Sequence, residues 1–199
     1  MSSQARRGLS RLALDHPWLY DQVQVCFGLG GVQARVRPYI AALHGKRVLD
    51  VGAGTGLYRP MLPPTAQYCW WDLDPGKLAR YRERRGAHWA VLGDATRLSF
   101  QDRTMDAALC VTMAHHLSDV ELEAMLADVA RVVRERLIFV DAVTATGSLA
   151  SALLWRWDNG KFPRSAEALQ AAIGRHFAIE ISETFRVYHH YWLCVARPG

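Results

Sequence analysis

From residue 46 onward the hydrophobic positions fall into two alternating patterns. Short runs rich in β-branched and aromatic residues cover 46–51, 67–72, 88–92, 105–111 and 136–140, and each predicts a strand. Between them, 75–85 and 119–133 read as helices. In the second, Leu122, Met125, Leu126, Val129, Val132 and Val133 recur at helical spacing. A brief helix is expected over 57–62, with Pro60 in it and Pro63-Pro64 stopping it. Pro75 suits a first helical turn, Asp74 its cap, and Gly86 a C-terminal cap. Strands that alternate with helices at this spacing predict an α/β fold with a doubly wound, mostly parallel sheet. The chain finishes differently. Runs at 177–184 and 188–196 are joined by a few residues, which forces an antiparallel β-hairpin. Seven strands are expected in all.

Two segments flank this core. Residues 9–44 read as mainly helical and precede the first strand. In 144–176, Leu149, Leu153, Leu154 and Trp157 share one helical face, and Asn159-Gly160 breaks that helix. Ser165 caps a second helix whose first turn carries Glu167. The expected organisation is a single domain over 1–199. It comprises an N-terminal helical lid (9–44), a ligand-binding core (46–142), substrate-lid helices (144–176) and a terminal hairpin (177–197). No internal repeat or low-complexity tract interrupts it.

Composition narrows the picture. Half of the 199 residues are hydrophobic, enough for a sizeable core. The net charge of +5 is moderately basic, yet no run of five or six like charges occurs. The densest cluster, Arg82 to Arg85, reads as a solvated helix end. Cys26, Cys69, Cys110 and Cys194 form no C-x-x-C pair, and three of them lie in apolar runs that favour reduced, buried thiols. No signal peptide and no run of eighteen apolar residues is visible, so a cytoplasmic protein without a transmembrane segment is expected.

The segment that carries chemistry is Val48-Leu49-Asp50-Val51-Gly52-Ala53-Gly54-Thr55-Gly56. A strand, a glycine-rich loop and a helix make a nucleotide-type site, because glycine lets a ligand approach the backbone. The phase of the glycines decides which kind. Dinucleotide folds use G-x-G-x-x-G, but Leu57 stands where the third glycine would be. The pattern is D-x-G-x-G-x-G, ending at Gly56.

This pattern resembles motif I of the class I S-adenosylmethionine-dependent methyltransferases, with a likeness that spans roughly 46–142 and, in outline, the hairpin. The resemblance implies a Rossmann-like fold with S-adenosyl-L-methionine as cofactor. It implies that Asp50 meets the ammonium end and that Gly52, Ala53, Gly54 and Gly56 line the methionine portion. Asp72, at the end of the second strand, then accepts from the ribose hydroxyls, with Leu73 against the adenine. Asp94 and Ala95, after the third strand, meet the adenine edge, and Val111 at the end of the fourth strand joins the cofactor set. Three acidic strand ends in this order form a joint signal that none carries alone.

The fourth strand leads into Met113-Ala114-His115-His116-Leu117-Ser118-Asp119, a stretch similar to that of many small-molecule methyltransferases. His115 and His116 are the candidate bases, since imidazole titrates near neutrality. Adjacent histidines project differently, so only one of the two is expected to face substrate; the alternative is that one packs beneath the cofactor and the other caps the next helix. Tyr20 is the candidate to close over the cofactor, and Trp155, Trp157 and Phe162 could wall an apolar pocket. In the last strand, alternation puts His189 and Tyr191 on one face. No spacing matches a metal motif, so no metal is assigned.

Departures also inform. The fourth strand is not followed by Asn/Asp-Pro-Pro-Tyr/Phe, which disfavours an exocyclic base nitrogen or a glutamine amide as acceptor. The turn before the fifth strand reads Val133-Arg134-Glu135-Arg136 in place of the family's Pro-Gly-Gly, and is expected to be a variant loop. The resulting expectation is methyl transfer to oxygen or carbon of a small apolar, aromatic or lipid-like acceptor. The alternatives are an RNA or protein methyltransferase and a non-catalytic S-adenosylmethionine-binding protein. The partner expected is a small-molecule acceptor, with nucleic acid disfavoured and the protein a monomer or homodimer.

Overall fold

The computed structural model describes residues 29–85, 89–144, 161–187 and 190–199. Tyr20, Cys26, Gly86, the helical face of Leu149, Leu153, Leu154 and Trp157, the break at Asn159-Gly160, Trp155 and His189, each singled out above, lie outside the described residues. The strands are β1 (Arg47–Val51), β2 (Gln67–Asp72), β3 (Ala90–Leu92), β4 (Met105–Val111), β5 (Val133–Val143), β6 (Phe177–Arg186) and β7 (His190–Pro198). They form one seven-stranded sheet in the order β3-β2-β1-β4-β5-β7-β6. The first five are parallel, and β7 runs antiparallel to both β5 and β6. The parallel sheet with a terminal hairpin is the architecture the sequence predicts.

The chain moves outward from β1 to β3, then returns to place β4 on the other side of β1. The carboxyl ends of β1 and β4 therefore flank the topological switch point, where open α/β sheets take their ligands. β1 is a near-continuous apolar run because both sheet faces are covered. Val48 points to the face that packs on α1 (Leu29–Ala41) and α2 (Pro75–Arg85), through Val36, Ile40, Leu78 and Tyr81. Leu49 and Val51 point to the other face, under α3 (Asp119–Val132) and α4 (Ala166–Gly174). On α3 the periodic residues Leu122, Met125, Leu126, Val129 and Val132 are all buried. Each contributes about 2 kcal/mol by leaving water.

Local chemistry accounts for the boundaries. Asp74 caps α2 by accepting the amides of Gly76 and Lys77. Ser118 and Glu121 form a capping box at the start of α3, so the cap there is a serine and not one of the two histidines. The brief helix near residue 60 is a single 3-10 turn, Arg59–Met61. The expected loop at 133–136 does not exist. Val133 is already extended where α3 ends, and it pairs with Met105 as the first residue of β5. A bulge between Met105 and Ala107 absorbs the one extra residue of β5.

Candidate active site

The glycine loop is docked on the end of β2. The amides of Gly52 and Ala53 both donate to the Trp71 carbonyl, at 2.8 and 3.1 Å. The peptide polar groups of Gly54 are held from two sides. Its N–H donates to Asp72 Oδ2 at 2.8 Å, and its carbonyl accepts from the Trp70 indole at 2.8 Å. Gly54 has φ +56°, and a Cβ placed on it would meet no heavy atom of the described residues within 4 Å. The open face of Gly54 is thus free for a ligand. Gly56 needs glycine for a different reason. It has φ +73°, and a Cβ there would sit 2.4 Å from the Tyr81 ring.

Asp72 is buried, and its second oxygen accepts the Asp74 amide at 3.0 Å, with Lys77 Nζ 3.6 Å from the first. Next to it Leu73 is 67% exposed, and Leu92, the register partner of Asp72, is 48% exposed. Two large apolar side chains in water at adjoining strand ends mark a place for a flat apolar group. Asp94 follows, exposed, with its Oδ1 accepting both the amide and the hydroxyl of Thr96 at 2.8 Å. Ala95 is half-buried beside it, and Ala53 and Val111 are buried.

Beneath the loop, Asp50 is 2% exposed and accepts a 2.5 Å hydrogen bond from the Tyr68 hydroxyl. Burial raises its carboxyl to about 7, against the Tyr68 bond that favours the anion, and the nearby Asp72 charge adds to the rise. Tyr58 lies within electrostatic reach of Asp50, and its buried hydroxyl finds no hydrogen-bond partner among the described residues. A buried acid beside an unpaired hydroxyl suits a cationic group. Together with the open Gly54 face, the acceptor-only Asp72 and the uncovered leucines, these residues fit an amino-acid–ribose–adenine ligand.

The far end of the site is built on a 3-10 turn, Ala114–His116. His115 and His116 separate as adjacent side chains should: His115 is buried and His116 exposed, with ring centroids 4.2 Å apart. His115 Nδ1 lies 2.5 Å from Asp141 Oδ1, and its own amide donates to Asp141 Oδ2 at 2.9 Å. Arg164 fastens this turn, donating to the carbonyls of Ala114 and Leu117 at 3.0 and 2.6 Å. The Phe162 amide donates to the His115 carbonyl at 3.0 Å, and the Phe162 side chain is 38% exposed. Met113 connects the two ends, since its Cβ is 2.9 Å from where a Cβ on Gly52 would stand.

Trp70, Asp141 and Arg164 were not legible as site residues. Asp141 carries the one signal that could have found it, an acidic residue near the carboxyl end of a strand, like Asp72. Arg164 and Trp70 act through backbone partners, which sequence spacing does not reveal.

An acidic strand end, a D-x-G-x-G-x-G loop at the switch point and a hairpin-terminated sheet define the class I methyltransferase fold. Comparison with known proteins agrees. A family model described as a methyltransferase domain matches residues 48–136. The demethylmenaquinone methyltransferase of Mycobacterium marinum is 32% identical over 159 residues, 76% of this chain and 67% of that protein. The malonyl-[acyl-carrier protein] O-methyltransferase of Serratia marcescens is 34% identical over 106 residues, 53% of this chain. This chain spans only 41% of that protein's length. Among solved structures, magnesium protoporphyrin IX methyltransferase from Synechocystis PCC 6803, with bound SAH, superposes with a TM-score of 0.73 at 17% identity. That match covers 99% of this chain and 95% of the other, and it concerns the fold. The chain belongs to the S-adenosylmethionine-dependent methyltransferase family, whose cofactor is S-adenosyl-L-methionine. Among the described residues, no helix is long and apolar enough to cross a membrane.

Proposed function

We propose that the protein methylates a small apolar acceptor, aromatic or lipid-like, at oxygen or carbon. The observation that carries the cofactor half of this reading is the open face of Gly54, held between Asp72 and Trp70 with buried Asp50 below. In this reading Asp50 faces the ammonium group, and Gly52, Ala53, Gly54 and Gly56 line the methionine tail. Asp72 accepts from the ribose, Leu73 covers the adenine, and Asp94 and Ala95 meet its edge. Val111 closes the floor.

When bound, S-adenosylmethionine supplies an electrophilic methyl group for direct displacement. The chain's own contribution is to orient the acceptor, exclude water and take a proton. His115 is the base that receives a proton from a hydroxyl or an acidic carbon. His116, exposed beside it, contacts the acceptor at the rim. The half-exposed ring of Phe162 offers an apolar wall next to the His115 turn. The acceptors named for two relatives, demethylmenaquinone and malonyl-[acyl-carrier protein], support a small or lipid-like acceptor.

Calorimetry with S-adenosylhomocysteine tests the cofactor reading, and methyl transfer from S-[methyl-³H]adenosylmethionine to naphthoquinols, phenols and acyl thioesters tests the acceptor class. Binding in the micromolar range and transfer to at least one apolar acceptor are expected. No binding at millimolar ligand would reject the cofactor reading. Transfer to RNA or protein alone would reject the acceptor class.

A further inference from the structure

We propose that Asp141 is a positioning residue that fixes His115 as the Nδ1-protonated tautomer, so that the lone pair lies on Nε2. The proposal rests on the reading of His115 as the base and supplies what makes it one.

The geometry leaves little freedom. Asp141 lies in β5 near its carboxyl end, one residue beyond the Val140 that pairs with Val111. It is 1% exposed and His115 is 5% exposed. One oxygen meets the ring at Nδ1, 2.5 Å away, and the other accepts the amide of the same residue at 2.9 Å. The carboxylate therefore grips His115 at both its ring and its peptide, which fixes the side-chain torsion. An ionised carboxylate only accepts, so Nδ1 must donate, and the neutral ring keeps its acceptor on Nε2. The Ala142 amide donates to Oδ1 at 2.7 Å, so the buried carboxylate has three donors. Such a fully partnered group rigidifies its surroundings.

The backbone is held as firmly. Phe162 and Arg164 take the carbonyls of His115, Ala114 and Leu117. At the start of the turn the Thr112 amide donates to the Val140 carbonyl at 2.8 Å, although Thr112 has φ +53°. A non-glycine residue in the left-handed region persists only where its surroundings hold it. Every one of these contacts converges on the orientation of one imidazole. Met113 ties that imidazole's turn to the glycine loop, so the ring is registered against the cofactor site.

Asp141→Asn is the informative change. With its oxygen on the His115 peptide the amide turns an NH₂ toward Nδ1 and the Ala142 amide, which favours the opposite tautomer; with its oxygen on Nδ1 it sets the NH₂ against the His115 amide, so either way one backbone donor is unmatched and the grip on the wild-type tautomer weakens. The test is ¹⁵N NMR of the full chain labelled at histidine, at a pH where the ring is neutral, with His115→Gln assigning the signal. In the wild type a protonated Nδ1 and an unprotonated Nε2 are expected. In Asp141→Asn the pattern should invert or average, while S-adenosylhomocysteine still binds. A wild-type ring protonated on Nε2 overturns the proposal without any variant. So does an unchanged tautomer in an Asp141→Ala protein, which has no group left to hold Nδ1. Loss of cofactor binding by the wild type would reject the methyltransferase reading instead, and the tautomer would still decide the role of Asp141.

Discussion

The carboxylate of Asp72 accepts the Gly54 amide at 2.8 Å, joining the end of β2 to the crest of the glycine loop. The Trp70 indole takes the Gly54 carbonyl from the other side. Both peptide polar groups of Gly54 are thus spent within the protein, and what the residue offers a ligand is the space where a side chain would be.

Gly54 and Gly56 should therefore respond differently to alanine. At Gly54 the new methyl meets no atom of the described residues, so the expected cost to folding is that of the left-handed backbone, about 1–2 kcal/mol. Binding of S-adenosylhomocysteine should fall by at least about tenfold, roughly 1.4 kcal/mol. At Gly56 the methyl strikes the Tyr81 ring, and denaturation should show the larger loss of stability. Unaltered binding by Gly54→Ala would remove the open face from the site.

Asp72→Ala removes the acceptor for two amides and, in the proposed role, for the ribose. Calorimetry should show at least about tenfold weaker binding. The midpoint of thermal unfolding should drop, because the Gly54 and Asp74 amides lose their partner. Full affinity in this variant would leave Asp72 a loop brace only.

Asp50 makes stability depend on pH. Its carboxyl is raised from an ordinary value near 3.8 to about 7, mainly by burial. Between these values the folded protein holds a proton that the unfolded chain has released, so stability falls as pH rises through that window. Asp50→Asn removes this dependence. Urea unfolding at pH 4.5 and pH 8 should show the wild type losing on the order of 2–4 kcal/mol more than the variant. Parallel losses would mean that Asp50 is ionised throughout.

Much of this fold was legible because its signals are local. The periodicity of α3, the alternation of strands and helices and the short hairpin link each fix an element without reference to distant residues. The glycine phase and the acidic strand ends at Asp50, Asp72 and Asp94 were legible for the same reason. What failed was the junction at Val133. Helix and strand abut there with no turn residue, and the bulge that permits it depends on the pairing of Met105. The dyad of His115 and Asp141 was half visible. The histidine lies in a recognisable stretch, but its partner is 26 residues away, and only strand pairing brings the two together.

Arg164 provides the sharpest test of how the His115 turn is held. Its side chain is 9% exposed, and the guanidinium serves the carbonyls of Ala114, Leu117 and Phe162 as well as Asp119. The ion pair is the weaker part, because the Asp119 side chain is 92% exposed and its charge is well solvated. Asp119→Asn should accordingly change stability by less than about 0.5 kcal/mol. Arg164→Met instead strips the donors from the carbonyls, at about 1–3 kcal/mol for each that stays buried. Arg164→Lys should fall between, since an ammonium on a flexible stem cannot reproduce the planar fork. Amide exchange adds a local readout: the His116 and Leu117 amides should lose protection in Arg164→Met more than those in the middle of α3. A uniform loss across the chain would mean that Arg164 does not act locally on the turn, and an Asp119→Asn variant as damaged as Arg164→Met would mean that the ion pair and not the carbonyl clamp holds it.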